Sequence, residues 1–153
     1  MKFFFHNSFL TSLLFGLISI NSALAIITSI KLPQNVLRPG HIFTVTFFTN
    51  HSMIHNTQYY VLFGLQPGTA PITGGNIGQF VLTSPQSDLV EGGHSVTSGH
   101  GSFKVDVLLP AKFKTTTGKK EKFGMTVAVF QTTGAENEAG VESFHGIVTI
   151  APH

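Results

Sequence analysis

From Ile26 onward, apolar and polar residues alternate with a period of two, and a helical period is hard to find. Seven strands are expected from this pattern and from the turn residues that interrupt it. The first covers residues 26–32 and is closed by Pro33. The second follows the breaker Arg38-Pro39-Gly40, with Phe43, Val45 and Phe47 on one face and Thr44 and Thr46 on the other. The third, residues 58–65, is nearly continuous in Tyr59, Tyr60, Val61, Leu62 and Phe63, the mark of a central strand buried on both sides. The fourth covers residues 79–84. The fifth, residues 102–109, sets Phe103, Val105, Val107 and Leu109 against Lys104, Asp106 and Leu108. The sixth, residues 123–131, aligns Phe123, Met125, Val127 and Val129. The seventh, residues 141–150, can turn Phe144, Gly146, Val148 and Ile150 inward.

Segments rich in Gly, Pro, Ser, Thr and Asn separate these runs. Short strands at this spacing predict an all-β, immunoglobulin- or fibronectin-like β-sandwich of about seven antiparallel strands. A small closed barrel is the alternative. In a sandwich, successive connections alternate between two ends. One end should then collect residues 50–57, 85–101 and 132–140, with His51, His55, His94, His100, Glu136 and Glu138. The other should collect Arg38, the connection 66–78 and the connection that carries Lys112, Lys114, Lys119, Lys120 and Lys122 with one acid, Glu121. No Lys or Arg follows Lys122, so a nearly neutral chain is expected to have a basic end and a histidine/acid end.

Residues 1–25 stand outside the alternation and read as a secretory signal peptide. Lys2 supplies the positive start, residues 9–20 an apolar stretch broken by Thr11, Ser12, Gly16 and Ser19, and Ala23-Leu24-Ala25 the small residues of a cleavage site. The stretch is too short and too interrupted for a membrane span. Cleavage after Ala25 leaves residues 26–153 as one secreted domain. With 42% apolar residues overall, the chain is no disordered tail. Small secreted domains usually compensate for a thin core with disulfides, but this one has no cysteine and must be held by packing. Asn50-His51-Ser52 is an N-glycosylation sequon, which makes Asn50 a candidate acceptor.

Patterns that could carry chemistry are weak. His51, His55, His94 and His100 include ligand types suited to zinc or copper, but an i, i+4 pair aligns ligands only on a helix, and no HExxH or cysteine pattern supports them. No metal ligand is therefore assigned. Gly93-His94-Ser95-Val96-Thr97 begins like a nucleophile elbow but ends in Thr, and no helix pattern follows it. Glu136 and Glu138 lack the apolar shielding that a general acid needs. Gly74-Gly75-Asn76-Ile77-Gly78 leads into a strand, not into the helix N-terminus that a phosphate loop requires. No catalytic residue and no cofactor are expected. The lysine run suits an acidic surface, yet Phe113 and Phe123 fit strand ends better than base-stacking platforms, so nucleic acid is not an expected partner.

Several short motifs, in order, resemble the necrosis-inducing secreted protein family of plant-colonising fungi. They are Leu37-Arg38-Pro39-Gly40, Phe63-Gly64-Leu65-Gln66-Pro67-Gly68, Gly75-Asn76-Ile77-Gly78, Phe80-Val81-Leu82 and Pro85-Gln86-Ser87-Asp88, then Gly101-Ser102-Phe103 and Leu109-Pro110-Ala111. The resemblance implies a small non-enzymatic β-sandwich effector that binds host plant proteins, receptor-associated kinases among them. It also implies dampening of pattern-triggered immunity and induction of cell death. Two departures stand out: Ala70-Pro71-Ile72-Thr73-Gly74-Gly75 replaces a Tyr-Pro-Gly-Ser-Leu-Gly-like stretch, and the lysine connection is longer and more basic than expected. Lys112, Lys114, Lys119, Lys120 and Lys122 are the partner-binding candidates. The rival expectation is a carbohydrate- or wall-binding module that uses Tyr59 and Tyr60. Dense apolar character in the third strand, with an open edge strand, leaves room for dimerisation.

Overall fold

Inward-facing apolar residues recur on every second position because a strand turns successive side chains to opposite faces. The computed structural model describes residues 25–70, 72, 75–93 and 101–153. Seven strands form there: β1 (Ala25–Lys31), β2 (Ile42–His51), β3 (Asn56–Pro67), β4 (Phe80–Leu82), β5 (Gly101–Leu108), β6 (Glu121–Thr133) and β7 (Glu138–Ile150). They make two antiparallel sheets, ordered β1-β2-β5 and β4-β3-β6-β7. This is the expected sandwich and not a single closed barrel. The fourth strand pairs with the third, whereas in a constant-type immunoglobulin domain it would join the other sheet. The signal-peptide reading, apart from Ala25, lies outside the described residues, as do His94 and His100.

The core lies between the sheets. Phe43, Val45 and Phe47 of β2 and Phe103, Val105 and Val107 of β5 meet Val61, Phe63 and Leu65 of β3 and Phe123, Met125, Val127 and Val129 of β6, all buried. Val148 and Ile150 of β7 are buried with them, and Phe144 packs against the cluster.

The third strand departs from its expected burial on both sides. It is central, between β4 and β6, but Tyr59 and Tyr60 are exposed. A bulge between Gln58 and Tyr60 shifts the register with β6 there. Only the other half of the outer face is covered, by the β3–β4 connection, which lies directly on Gly64.

The fourth strand is shorter than expected because its continuation leaves the sheet. The Leu108 amide donates to the Thr83 carbonyl at 3.4 Å, Ser84 Oγ donates to the Asp106 carbonyl at 2.5 Å, and the Asp106 amide donates to Gln86 Oε1 at 2.7 Å. The chain then returns to β3, where the Val61 amide meets the Ser87 carbonyl and the Leu89 amide the Tyr59 carbonyl, each at 2.9 Å. One segment thus covers the edge of β5 and part of the edge of β3, with Leu89 fully buried.

Glu142 of β7 sits opposite Val129, which puts a carboxylate on the inward face of an edge strand. Burial pushes its carboxyl above the ordinary carboxylate range, and the hydrogen bond from Gln131 Nε2 at 3.3 Å offsets part of this. The Gln131 Oε1 atom is buried without a partner, and a protonated Glu142 would offer the donor it lacks. With the folded pKa above the unfolded one, ionisation at neutral pH costs stability. That cost is recovered as pH falls through the folded pKa and is gone below the ordinary value of 4.5. Glu142→Gln should therefore raise Tm at pH 7, with the gain shrinking to nothing near about pH 4. Thermal melts across that range would check it, and an equal shift at both ends would refute the assignment.

Candidate functional site: the lysine-bearing end

Three connections meet at one end of the sandwich, as alternation of the turns requires. The Gly40 amide, before β2, donates to the Leu109 carbonyl at 2.8 Å, and the Gly68 amide, after β3, donates to the Lys122 carbonyl at 3.0 Å. The β5–β6 connection carries the lysines. It opens with a turn in which the Phe113 amide donates to the Pro110 carbonyl at 2.9 Å. Burial then alternates: Phe113 and Thr115 turn inward, while Lys112, Lys114 and Thr116 face solvent. The Phe113 ring meets Phe123 edge-on at 5.4 Å and Phe80 of β4 edge-on at 5.2 Å. Such pairs stabilise beyond the area they bury, so Phe113 anchors the lysines on either side of it to the core.

A carboxylate holds the far limb. Glu121 accepts from the Thr116 amide at 2.8 Å, the Thr117 amide at 3.2 Å and the Thr117 hydroxyl at 3.3 Å, and also from the Thr116 hydroxyl. Consecutive backbone amides directed at one anion form a small nest. The Thr116 hydroxyl chiefly, with the other three donors, holds the Glu121 carboxyl below the usual carboxylate range against a smaller effect of desolvation. Glu121 is the one acid in the lysine run, and its oxygens are engaged by threonines. Lys119 and Lys120 lie exposed on this limb, and Lys122 follows at the start of β6. All five candidate lysines are exposed at one end of the fold, four on the connection and Lys122 on β6.

Arg38 joins them, as expected. Sequence reasoning missed two neighbours: His41 and His153 share a recess of about 660 Å³ with Arg38. His41 directly precedes β2, so the alternation of ends already carried the signal.

The model of the Nis1 family matches residues 23–149. The chain belongs to the Nis1 family. Membership makes it one of a family of necrosis-inducing effectors, in agreement with the resemblance carried by its motifs. A search of the curated proteins returns no match. Among the described residues, no helix of this Nis1 family member is long and apolar enough to cross a membrane.

The opposite end of this family member holds His51, His55, Glu136 and Glu138. The Gly134 amide donates to the His55 carbonyl at 2.8 Å, which ties the β2–β3 and β6–β7 turns together. Among the described residues, no three His, Asp or Glu side chains group as a metal site. Asn50 lies exposed near the end of β2, where its Oδ1 accepts from the His51 amide at 2.8 Å. Above this end, the outer face of the larger sheet carries a row that crosses three strands. Tyr60 pairs with Phe130, and Phe130 with Val141, each 40–55% exposed. Beside the row, the Tyr59 hydroxyl meets Thr132 Oγ1 at 3.2 Å.

Proposed function

We propose that this chain is a secreted, non-catalytic effector that binds a host plant protein and thereby dampens pattern-triggered immunity, with receptor-associated kinases as the first partners to test. The observation that carries the reading is the Nis1 family match over residues 23–149. The lysine-bearing end supports a location for the interface. It concentrates charge on an ordered connection, and clustered charge of one sign steers association with an oppositely charged surface. Secretion rests on the signal-peptide pattern of residues 1–25 and on the family. No cofactor is required by this reading. Expression in plant tissue followed by co-precipitation should recover receptor-associated kinases and lower the elicitor-triggered oxidative burst. Recovery of no plant protein, with an unchanged burst, would overturn it.

A second reading is favoured by the exposed row Tyr60, Phe130 and Val141. Exposed aromatic rings in a row across a sheet suit carbohydrate, as a wall-binding module would use them. Retention on chitin, glucan or cellulose would support that module, and passage through all three would remove it.

A further inference from the structure

The first limb of the lysine connection and β4 enclose a groove. It has a volume of about 530 Å³, within the usual range of binding clefts. Phe80, Pro110 and Phe113 give it an apolar lining, Val81 borders it at the edge of β4, and Lys112 and Lys114 complete it. Phe80 is 37% exposed, so this apolar lining is open to solvent. We infer that this groove docks an extended acidic segment of the partner protein, with one large apolar side chain seated against Phe80 and Pro110 and carboxylates on Lys112 and Lys114. The inference rests on the protein-binding reading above and gives that reading a site and a chemistry.

Three observations select this occupant. First, charge: among the described residues lining the groove there are two lysines and no acid. The nearby carboxylate, Glu121, is engaged by Thr116 and Thr117. Second, shape: β4 is the edge of its sheet, with no strand on its outer side among the described residues. An extended peptide can run along such an edge and place alternate side chains in a groove, the mode of β-strand addition. A bilayer meets a flat or convex surface and would leave this concave floor unfilled. Third, rigidity: the Phe80–Phe113–Phe123 series of edge-on rings and the Glu121 nest hold both limbs of the connection, so little ordering is left for the binding step.

The test is to pan a phage-displayed library of random short peptides against the full-length protein secreted from a yeast host. A synthetic representative of the enriched set is then titrated by fluorescence anisotropy. Enriched sequences should place Asp or Glu on both sides of Leu, Phe or Met. Affinity should fall about tenfold or more in the Lys112→Gln/Lys114→Gln double variant, since each lost charge-assisted contact counts. It should fall similarly in Phe80→Ser, which tests the apolar lining by itself, and stay unchanged in Lys31→Gln on β1. All these positions are exposed, and thermal melts of each variant check that the fold is kept. Enrichment of no acidic motif, or equal binding by the double variant, overturns the inference. Capture of phosphatidylserine vesicles or short polyuridine without peptide enrichment also overturns it, and moves the lysines to lipid or nucleic acid. Plant tissue separates the two levels. Equal recovery of a plant protein by wild type and double variant removes the groove and leaves the effector reading standing. Peptide binding without any plant protein recovered does the reverse.

Discussion

Phe47→Ala should cost about 3–5 kcal/mol, the loss usual for a large aromatic removed from a packed core. The Phe47 ring is fully buried and joins both sheets. It stacks on Phe103, its register partner in β5, with centroids 4.9 Å apart and planes within 2°. It also meets Phe63 of the opposite sheet edge-on at 6.5 Å. An alanine there leaves a cavity that neither sheet can close without giving up other contacts. The chain has no disulfide to limit the unfolded ensemble, and a domain of this size has about 5–15 kcal/mol in total. Tm should drop by roughly 10–20 °C, measured by far-ultraviolet circular dichroism. Ile42→Ala is the contrast, because Ile42 is 66% exposed on the outer face, and a change within about 0.5 kcal/mol is expected. Similar losses in both variants would show that the core is not where stability resides.

Gly64→Ala has the next largest expected effect. A Cβ at Gly64 would lie 1.8 Å from the Ile77 carbonyl oxygen and 2.6 Å from its carbon. These are backbone atoms, so no side-chain rotation relieves the clash. Gly78 answers from the other side: it has φ +123°, and a Cβ there would stand 2.6 Å from the Leu65 carbonyl oxygen. The pair lets the β3–β4 connection lie flat on the sheet. Gly64→Ala should lift that connection at a cost of about 1–3 kcal/mol. Faster hydrogen exchange at the Gln79 amide, which donates to the Leu65 carbonyl at 2.9 Å, would report it. Gly124→Ala makes a sharp control, since a Cβ there meets nothing closer than 3.6 Å. If the two variants exchange alike, the close approach at Gly64 has no structural weight.

Much of this architecture was legible in period-two alternation. Phe43, Val45 and Phe47 announced the inner face of β2, as Phe123, Met125, Val127 and Val129 did for β6, because burial on one face leaves that imprint on any amphipathic strand. The pairing of β4 with β3 was not legible, since it depends on contacts distant in sequence. The exposure of Tyr59 and Tyr60 escaped for a related reason: a bulge changes facing without changing composition. Gly64 did carry a signal, as a glycine inside an apolar strand often marks the close approach of another backbone. The lysines of the candidate site were legible as a run. Their ordering was not, because it depends on Thr116 and Thr117 folding back onto Glu121.

The placement of Tyr59 and Tyr60 has a spectroscopic consequence. The chain has no tryptophan and only these two tyrosines, so its near-ultraviolet emission arises from adjacent residues at one end of β3. Leu65, the β3 partner of Phe80 at the groove, is five residues and roughly 17 Å further along the strand. A sugar laid on the aromatic row would perturb that emission directly, whereas a peptide in the groove would leave it unchanged. The protein therefore carries a built-in, label-free optical reporter that responds to one of the two surfaces and not to the other.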